Sequence, residues 1–295
     1  MYLMNTLAEY MRRSCIEDVF RLGSFKLAWG IWHDNIRSFV RDFEDPGQVI
    51  NLGDHLKEVF YSTTKSGRGQ GTLSSAGSAW ECLVCWYMNL CLIGSNAVIL
   101  RPLKRFIPDP VSQAITVNYG SFKSNSESDL IALIFPSEFE VPEDVDIGDK
   151  TSVDDLIGMQ FSEFGVGIIQ CKTNWNDSSQ IPMLWDMVYS SKGSKERGIS
   201  VGTSLYSIND IAQFFYAFVT VPTTQGPHKP ESTHVLRVRS ISGGNYWGLP
   251  DKQSVANSLK EIFRRNFVTA YERPQREILR MNLERLETDY SYFSI

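Results

Sequence analysis

Gln170-Cys171-Lys172 closes an apolar run that begins at Gly167, and Asp129 heads a second one, Leu130 to Phe135. Residues two apart on a strand point to the same side, so the Gln170 amide and the Lys172 ammonium share a face. A polar pair at the mouth of an apolar strand is poorly explained by packing. Together with a carboxylate, these groups can hold a hard cation such as Mg²⁺ and help water attack a phosphodiester. Asp129 supplies the carboxylate in this reading and Gln170 a weaker oxygen ligand. Lys172 polarises the water or steadies the negative charge of the transition state. The carbonyl of Cys171, between the two, is a further ligand candidate.

Each residue also has a plainer role. An aspartate caps turns, and a strand-end lysine reaches solvent along its apolar stem. Glu81 stands in the first turn of an expected helix, where the dipole and a capping partner such as Ser78 both favour an acid. That helix is apolar nearly all round, however, and an unpaired carboxylate buried on it would be costly. A cation or Lys172 would relieve that cost.

The elements that must position these residues are legible in outline. Apolar spacing predicts helices over 7–22 and 25–43, a break at Pro46-Gly47, and a third helix at 56–61. A basic, glycine-rich loop follows at 62–71. Ser74, Ser75 and Ser78 offer N-caps for a central helix over 75–92, which Gly94-Ser95-Asn96 ends. Strands are expected at 97–100, 114–119, 130–135, 167–172, 199–201, 215–221 and 234–241. A loop through Pro108 and Pro110 precedes the second of them. An acidic stretch at 138–155 leads to a short helix over 153–161. Helices are expected again at 182–189, 254–267 and 274–286, with an aromatic, glycine-rich loop at 243–248. Helices enclosing several strands define an α/β fold.

At these positions the chain resembles the PD-(D/E)XK nuclease superfamily, the restriction-endonuclease-like fold. The resemblance rests on Ser128-Asp129 before an apolar strand, on Ile168-Ile169-Gln170-Cys171-Lys172, and on Glu81 on the preceding helix. Ser128 stands where the motif has proline. Gln170 replaces the second acid, which leaves the site one charge weaker and makes Glu81 more important. The resemblance implies a mixed central sheet flanked by helices, with a nuclease core at 73–250, an N-terminal helical region at 1–72 and a C-terminal helical extension at 251–295. It implies Mg²⁺, with Mn²⁺ as substitute, held by Asp129, Glu81, Gln170 and the Cys171 carbonyl. Asp129, Gln170, Lys172 and Glu81 would be catalytic. The substrate would be DNA, in restriction or anti-phage defence. The enzyme would act alone, as a homodimer, or within a larger complex with a helicase, ATPase or sensor subunit. Two other readings stay open: a non-catalytic scaffold or nucleic-acid-binding subunit with a decayed site, and an RNA-directed nuclease.

Substrate contacts are expected from local patches, since the net charge of -5 offers no global attraction for a polyanion. Lys65 and Arg68, then Lys192 and Lys195 with Arg197, are the cationic candidates, beside Asn174 just after Lys172. Arg101, Lys104 and Arg105 form another cluster; for any one of these clusters solvated surface is the plainer reading and the one preferred. The five cysteines lie mostly in apolar runs; Cys82 and Cys85 have CxxC spacing but no second pair or histidine, so buried thiols are expected. No HExxH, Walker A or GxSxG pattern is present. No signal peptide or membrane span is read, and a cytoplasmic setting is the expectation.

Overall fold

The computed structural model describes residues 6–65, 73–124, 128–172, 199–220 and 259–295, together with Leu236, Ser240 and Tyr246–Trp247. Five helices precede the first strand: α1 (Thr6–Arg21), α2 (Gly23–Phe39), α3 (Pro46–Asn51), α4 (Leu56–Lys65) and α5 (Leu73–Cys91). There follow β1 (Ala97–Leu100), α6 (Asp109–Ala114), β2 (Val117–Tyr119), β3 (Phe122–Ser124), β4 (Leu130–Ile134), α7 (Lys150–Met159) and β5 (Gly165–Lys172). The remaining elements are β6 (Ile199–Val201), β7 (Gln213–Thr220), β8 (Tyr246–Trp247), α8 (Leu259–Asn266) and α9 (Gln275–Leu283).

The larger sheet runs β1-β4-β5-β7-β8 and is mixed. β4 pairs antiparallel with β1 and β5, whereas β5–β7 and β7–β8 are parallel. Every residue of β1 and β4 is buried, the pattern of strands covered on both faces. A short antiparallel sheet, β3-β2-β6, stands beside it. The mixed α/β architecture is as the sequence suggests.

α5 is the helix that positions Glu81, and buried side chains tie it across the sheet to β7 and to β1. From Ala79 to Ile93 it and its exit turn are buried except at Glu81. Trp80 Nε1 donates to the carbonyl of Val219 on β7 at 3.2 Å. Asn89 pairs with the outer edge of β1: its Nδ2 donates to Ile99 O at 2.8 Å, and its Oδ1 accepts from Ile99 N at 3.0 Å. One amide thus satisfies the open edge of a strand inside the core. At the centre, Gly167 lies under the Phe215 ring, where an added Cβ would meet Phe215 Cζ at 2.1 Å. No side chain fits between β5 and that ring.

A single apolar cluster runs from Leu7 to Phe293. The C-terminal turn returns to the N-terminal half, where Trp86 Nε1 donates to Phe293 O and Arg13 to Asp289 O. All five cysteines are buried free thiols, as expected. Among the described residues, no helix is long and apolar enough to cross a membrane.

The structure departs from the sequence expectations in several places. Pro46-Gly47 begins α3 rather than only breaking a run, because Asp45 caps it and proline is tolerated in the first turn. The 62–71 loop is helical through Lys65. α6 occupies the stretch around Pro110, so the following strand is confined to Val117–Tyr119. α7 starts at Lys150, since Asp149 accepts from Thr151 N and Ser152 N. Tyr246–Trp247, expected in a loop, pair with Phe218 and Val219. Within 234–241, Leu236 and Ser240 are helical rather than extended. The helix expected at 182–189 lies outside the described residues.

Candidate active site

The register of the larger sheet brings the motif together. Leu130 pairs with Ile169, so the residue before it, Asp129, lies opposite Gln170 at the end of two adjacent antiparallel strands. Asp129 Oδ2 accepts from the backbone N–H of Cys171 at 2.8 Å and from Lys172 Nζ at 2.7 Å. The Asp129 and Lys172 side chains are 16% and 21% exposed, which places the ion pair at a mouth rather than in the core. The other carboxylate oxygen, Oδ1, takes no hydrogen bond among the described residues.

Gln170, one residue inward, is 1% exposed, and its Nε2 is sealed without a hydrogen-bond partner. An amide left so costs about 1–3 kcal/mol. Ser128, on the other flank of Asp129, likewise carries a buried, unpartnered hydroxyl. Glu81 faces the same ion pair from α5. Burial first, and then the negative charge of Asp129, push its carboxyl up to about 7, against the pull of Lys172 and Arg101. No hydrogen bond or ion pair holds that carboxyl among the described residues. The buried Cys171 thiol is pushed well above its ordinary range, chiefly by burial and then by Asp129 and Glu81. That shift concerns the side chain and leaves the backbone carbonyl, the ligand expected of Cys171, untouched; the N–H of the same residue holds Asp129.

Of the residues the sequence singled out, Asp129, Gln170, Cys171, Lys172 and Glu81 converge on one site. Lys65 closes α4. Arg68, Asn174, Lys192 and Lys195 lie outside the described residues. Arg101 and Arg105 do not form a free phosphate-binding cluster, because both pair with Asp18, Arg101 at 2.6 Å. Arg101, read in the sequence only as part of a basic cluster, also acts on the site, since its charge reaches Glu81.

Among the described residues, no group of three or more His, Cys, Asp or Glu is gathered to hold a metal. The donors that are present still suit one hard cation. Mg²⁺ is commonly held by one or two carboxylates while keeping several waters. Here Asp129 Oδ1 and the Glu81 carboxyl are both uncommitted; the orphaned Gln170 Nε2 is an N–H donor and adds nothing to a cation site, for which only that residue's amide oxygen could serve. A glutamate whose proton affinity is raised by burial and by a nearby aspartate is an arrangement a cation would relax. No protein-family model matches the chain, and no curated protein matches it in sequence.

Proposed function

We propose that this chain is a Mg²⁺-dependent endonuclease that hydrolyses DNA phosphodiester bonds on a restriction-endonuclease-like core. The observation that carries the reading is the Asp129–Lys172 pair, formed across two adjacent strand ends and faced by an uncommitted glutamate. The order of helix with Glu81, strand with Asp129 and strand with Gln-x-Lys on one mixed sheet is the further support.

In this reading Asp129 Oδ1, the Glu81 carboxyl and Gln170 would hold the cation, with Mn²⁺ able to replace Mg²⁺. Bound there, the cation would act as a Lewis acid and lower the pKa of its water. Lys172 Nζ, fixed by Asp129 Oδ2, would set a positive charge where the phosphoryl oxygens gain negative charge. The Cys171 N–H keeps Asp129 in place and leaves Oδ1 pointing elsewhere. A role in restriction or anti-phage defence, alone or as the nuclease of a larger complex, follows from the family resemblance.

The test is a cleavage assay with Mg²⁺ or Mn²⁺ on DNA and RNA substrates. Asp129→Ala and Lys172→Ala are each expected to lower cleavage by about 100-fold or more, as loss of one electrostatic or proton-handling group does. Equal residual activity in all three proteins would leave a non-catalytic scaffold. Preferential cutting of RNA would make the enzyme RNA-directed.

A further inference from the structure

Cys82 and Cys85 stand at the spacing of a dithiol motif, but the fold gives Cys85 a different partner. Cys15 on α1 brings its Sγ to 3.8 Å from Cys85 Sγ, across 70 residues of chain. Both are free thiols, and both side chains are fully buried. Cys85 is also tied into the frame that holds α5. Its thiol lies 3.8 Å from Ile99 O, and Asn89 Nδ2 reaches its sulfur at 3.6 Å. A disulfide requires the two sulfurs to close to about 2 Å, through thiol rotation and a small shift of the helices.

The two sulfurs are not equivalent. Cys15 is drawn below the ordinary thiol range by its hydrogen bond with Cys85 and, against burial, by the backbone N–H and the charge of Arg101. The Cys85 thiol is pushed well above that range by the same hydrogen bond and by burial. Cys15 is therefore the readier thiolate, the form that attacks an oxidant, and Cys85 stands beside it as a protonated thiol. Asp18 lies three residues further along the same face of α1. Arg101, whose N–H bonds to Cys15, sends its guanidinium to Asp18 at 2.6 Å. Those two side chains are 17% and 11% exposed, and a local opening that parts this partly hydrated pair brings water toward the Cys15 sulfur.

α5 connects the thiol pair to the Asp129–Lys172 site. Glu81 and Cys85 are four residues apart on it and share a face. Arg101, which touches Cys15, also sends its charge to Glu81.

We propose that Cys15 and Cys85 form a peroxide-driven disulfide that staples α1 to α5 and slows the reaction at the site. The Cys15 thiolate takes one oxygen of hydrogen peroxide and becomes a sulfenic acid, and the hydroxide released takes up the proton Cys15 had lost. The Cys85 sulfur then attacks the Cys15 sulfur. The S–S bond forms, the S–O bond breaks, and the oxygen leaves as water with the Cys85 proton. Two thiols and one peroxide give one disulfide and two waters. The link itself needs no catalytic reading. Its effect on cleavage rests on the nuclease reading above, because closing the sulfurs shifts α5, and Glu81 with it, relative to Asp129 and Lys172.

The experiment treats the intact, reduced chain with hydrogen peroxide, blocks the remaining thiols under denaturing conditions and measures the mass. The chain should lose the mass of two hydrogens and keep three free thiols of its five, with Cys15 and Cys85 joined in the peptide map. Cys15→Ala and Cys85→Ala should each abolish the link, and Cys82→Ala should leave it. Should one alanine variant fail to fold, the other and the wild-type peptide map still decide. In a DNA cleavage assay with Mg²⁺, oxidation should lower the rate about tenfold or more, since a misplacement of about 1 Å can cost about 100-fold. Dithiothreitol should restore the rate, and the Cys15→Ala protein should be insensitive to peroxide. Absence of the link, or a link between other cysteines, overturns the proposal, and cleavage by the reduced protein then leaves the nuclease reading standing. A linked protein that cleaves as fast as the reduced one also overturns it. If the link forms and neither form cleaves, the disulfide stands and the nuclease reading falls.

Discussion

Two ion pairs in this protein are built to opposite designs. Arg12 on α1 is fully buried and pairs with Glu9 one turn before it. Its Nη2 donates to Ala97 O at 2.7 Å and Leu92 O at 2.9 Å, with Ser95 O at 3.4 Å, which ties the end of α5 to the start of β1. Tyr292, near the C-terminal end, donates its hydroxyl to the same Glu9 carboxylate. Burial works against the Arg12 charge, yet Glu9 and the neighbouring tyrosines hold its pKa above the ordinary value. Of the Arg12 nitrogens only Nε lacks a partner. Lys172 and Asp129 instead meet at a partly open strand end, beside an orphaned amide and an uncommitted carboxyl. The first pair is close to saturated and fastens three segments. The second leaves bonding capacity unspent, as a site awaiting a ligand does.

The largest difference should appear in stability. Arg12→Ala leaves Glu9 buried and three carbonyls short of a donor, and is expected to cost about 3–5 kcal/mol in urea unfolding. Asp129→Ala, at a partly hydrated pair, should cost about 1 kcal/mol or less while abolishing cleavage. Similar losses from both substitutions would erase the distinction between the pairs.

Gln170 sharpens it further. Gln170→Leu keeps the shape and removes an unsatisfied buried amide, so stability should rise by about 1–2 kcal/mol. Cleavage should fall by about tenfold or more in the same protein. A loss of stability would mean that the amide nitrogen finds an acceptor in solution.

Glu81 gives the smallest effect, one of pH. Its folded-state pKa of about 7 lies above the ordinary carboxyl value of about 4.3. Between those two values the folded protein holds a proton that the unfolded chain has released. Metal-free stability should therefore decline as pH rises from about 4.3 to about 7, and level off above. The decline is expected to be on the order of 1 kcal/mol once solvent screening is allowed for. Glu81→Gln should flatten it, as measured by urea midpoints in chelator across that range. An identical slope in the variant would place the titration elsewhere.

Much of this was visible in the chain, and the exceptions have physical causes. α5 could be read because its apolar composition and the Gly94 stop are local signals. β4 and β5 could be read because both are short apolar runs ended by polar residues. The start of α3 at Pro46 depended on a cap by Asp45, and α6 on packing against α7, where Lys150 pairs with both Asp109 and Asp154. Among the described residues β8 is Tyr246–Trp247, set by pairing with Phe218 and Val219 of β7, a partner that no local stretch of sequence reveals. The role of Arg101 was hidden for a similar reason: Asp18, its partner, is 83 residues away in sequence.

The sequence by itself determined which segments are helices or strands wherever periodicity was strong, and placed an Asp before one apolar strand and Gln-x-Lys at the end of another. Such patterns depend on neighbours a few residues apart, and the chain carries them whole. Only the tertiary structure decided that Asp129 and Lys172 meet, that Glu81 faces them, and that Gln170 is left without a partner. Those outcomes depend on strand order and register, which are fixed by burial over the entire sheet and not by any stretch of the chain alone.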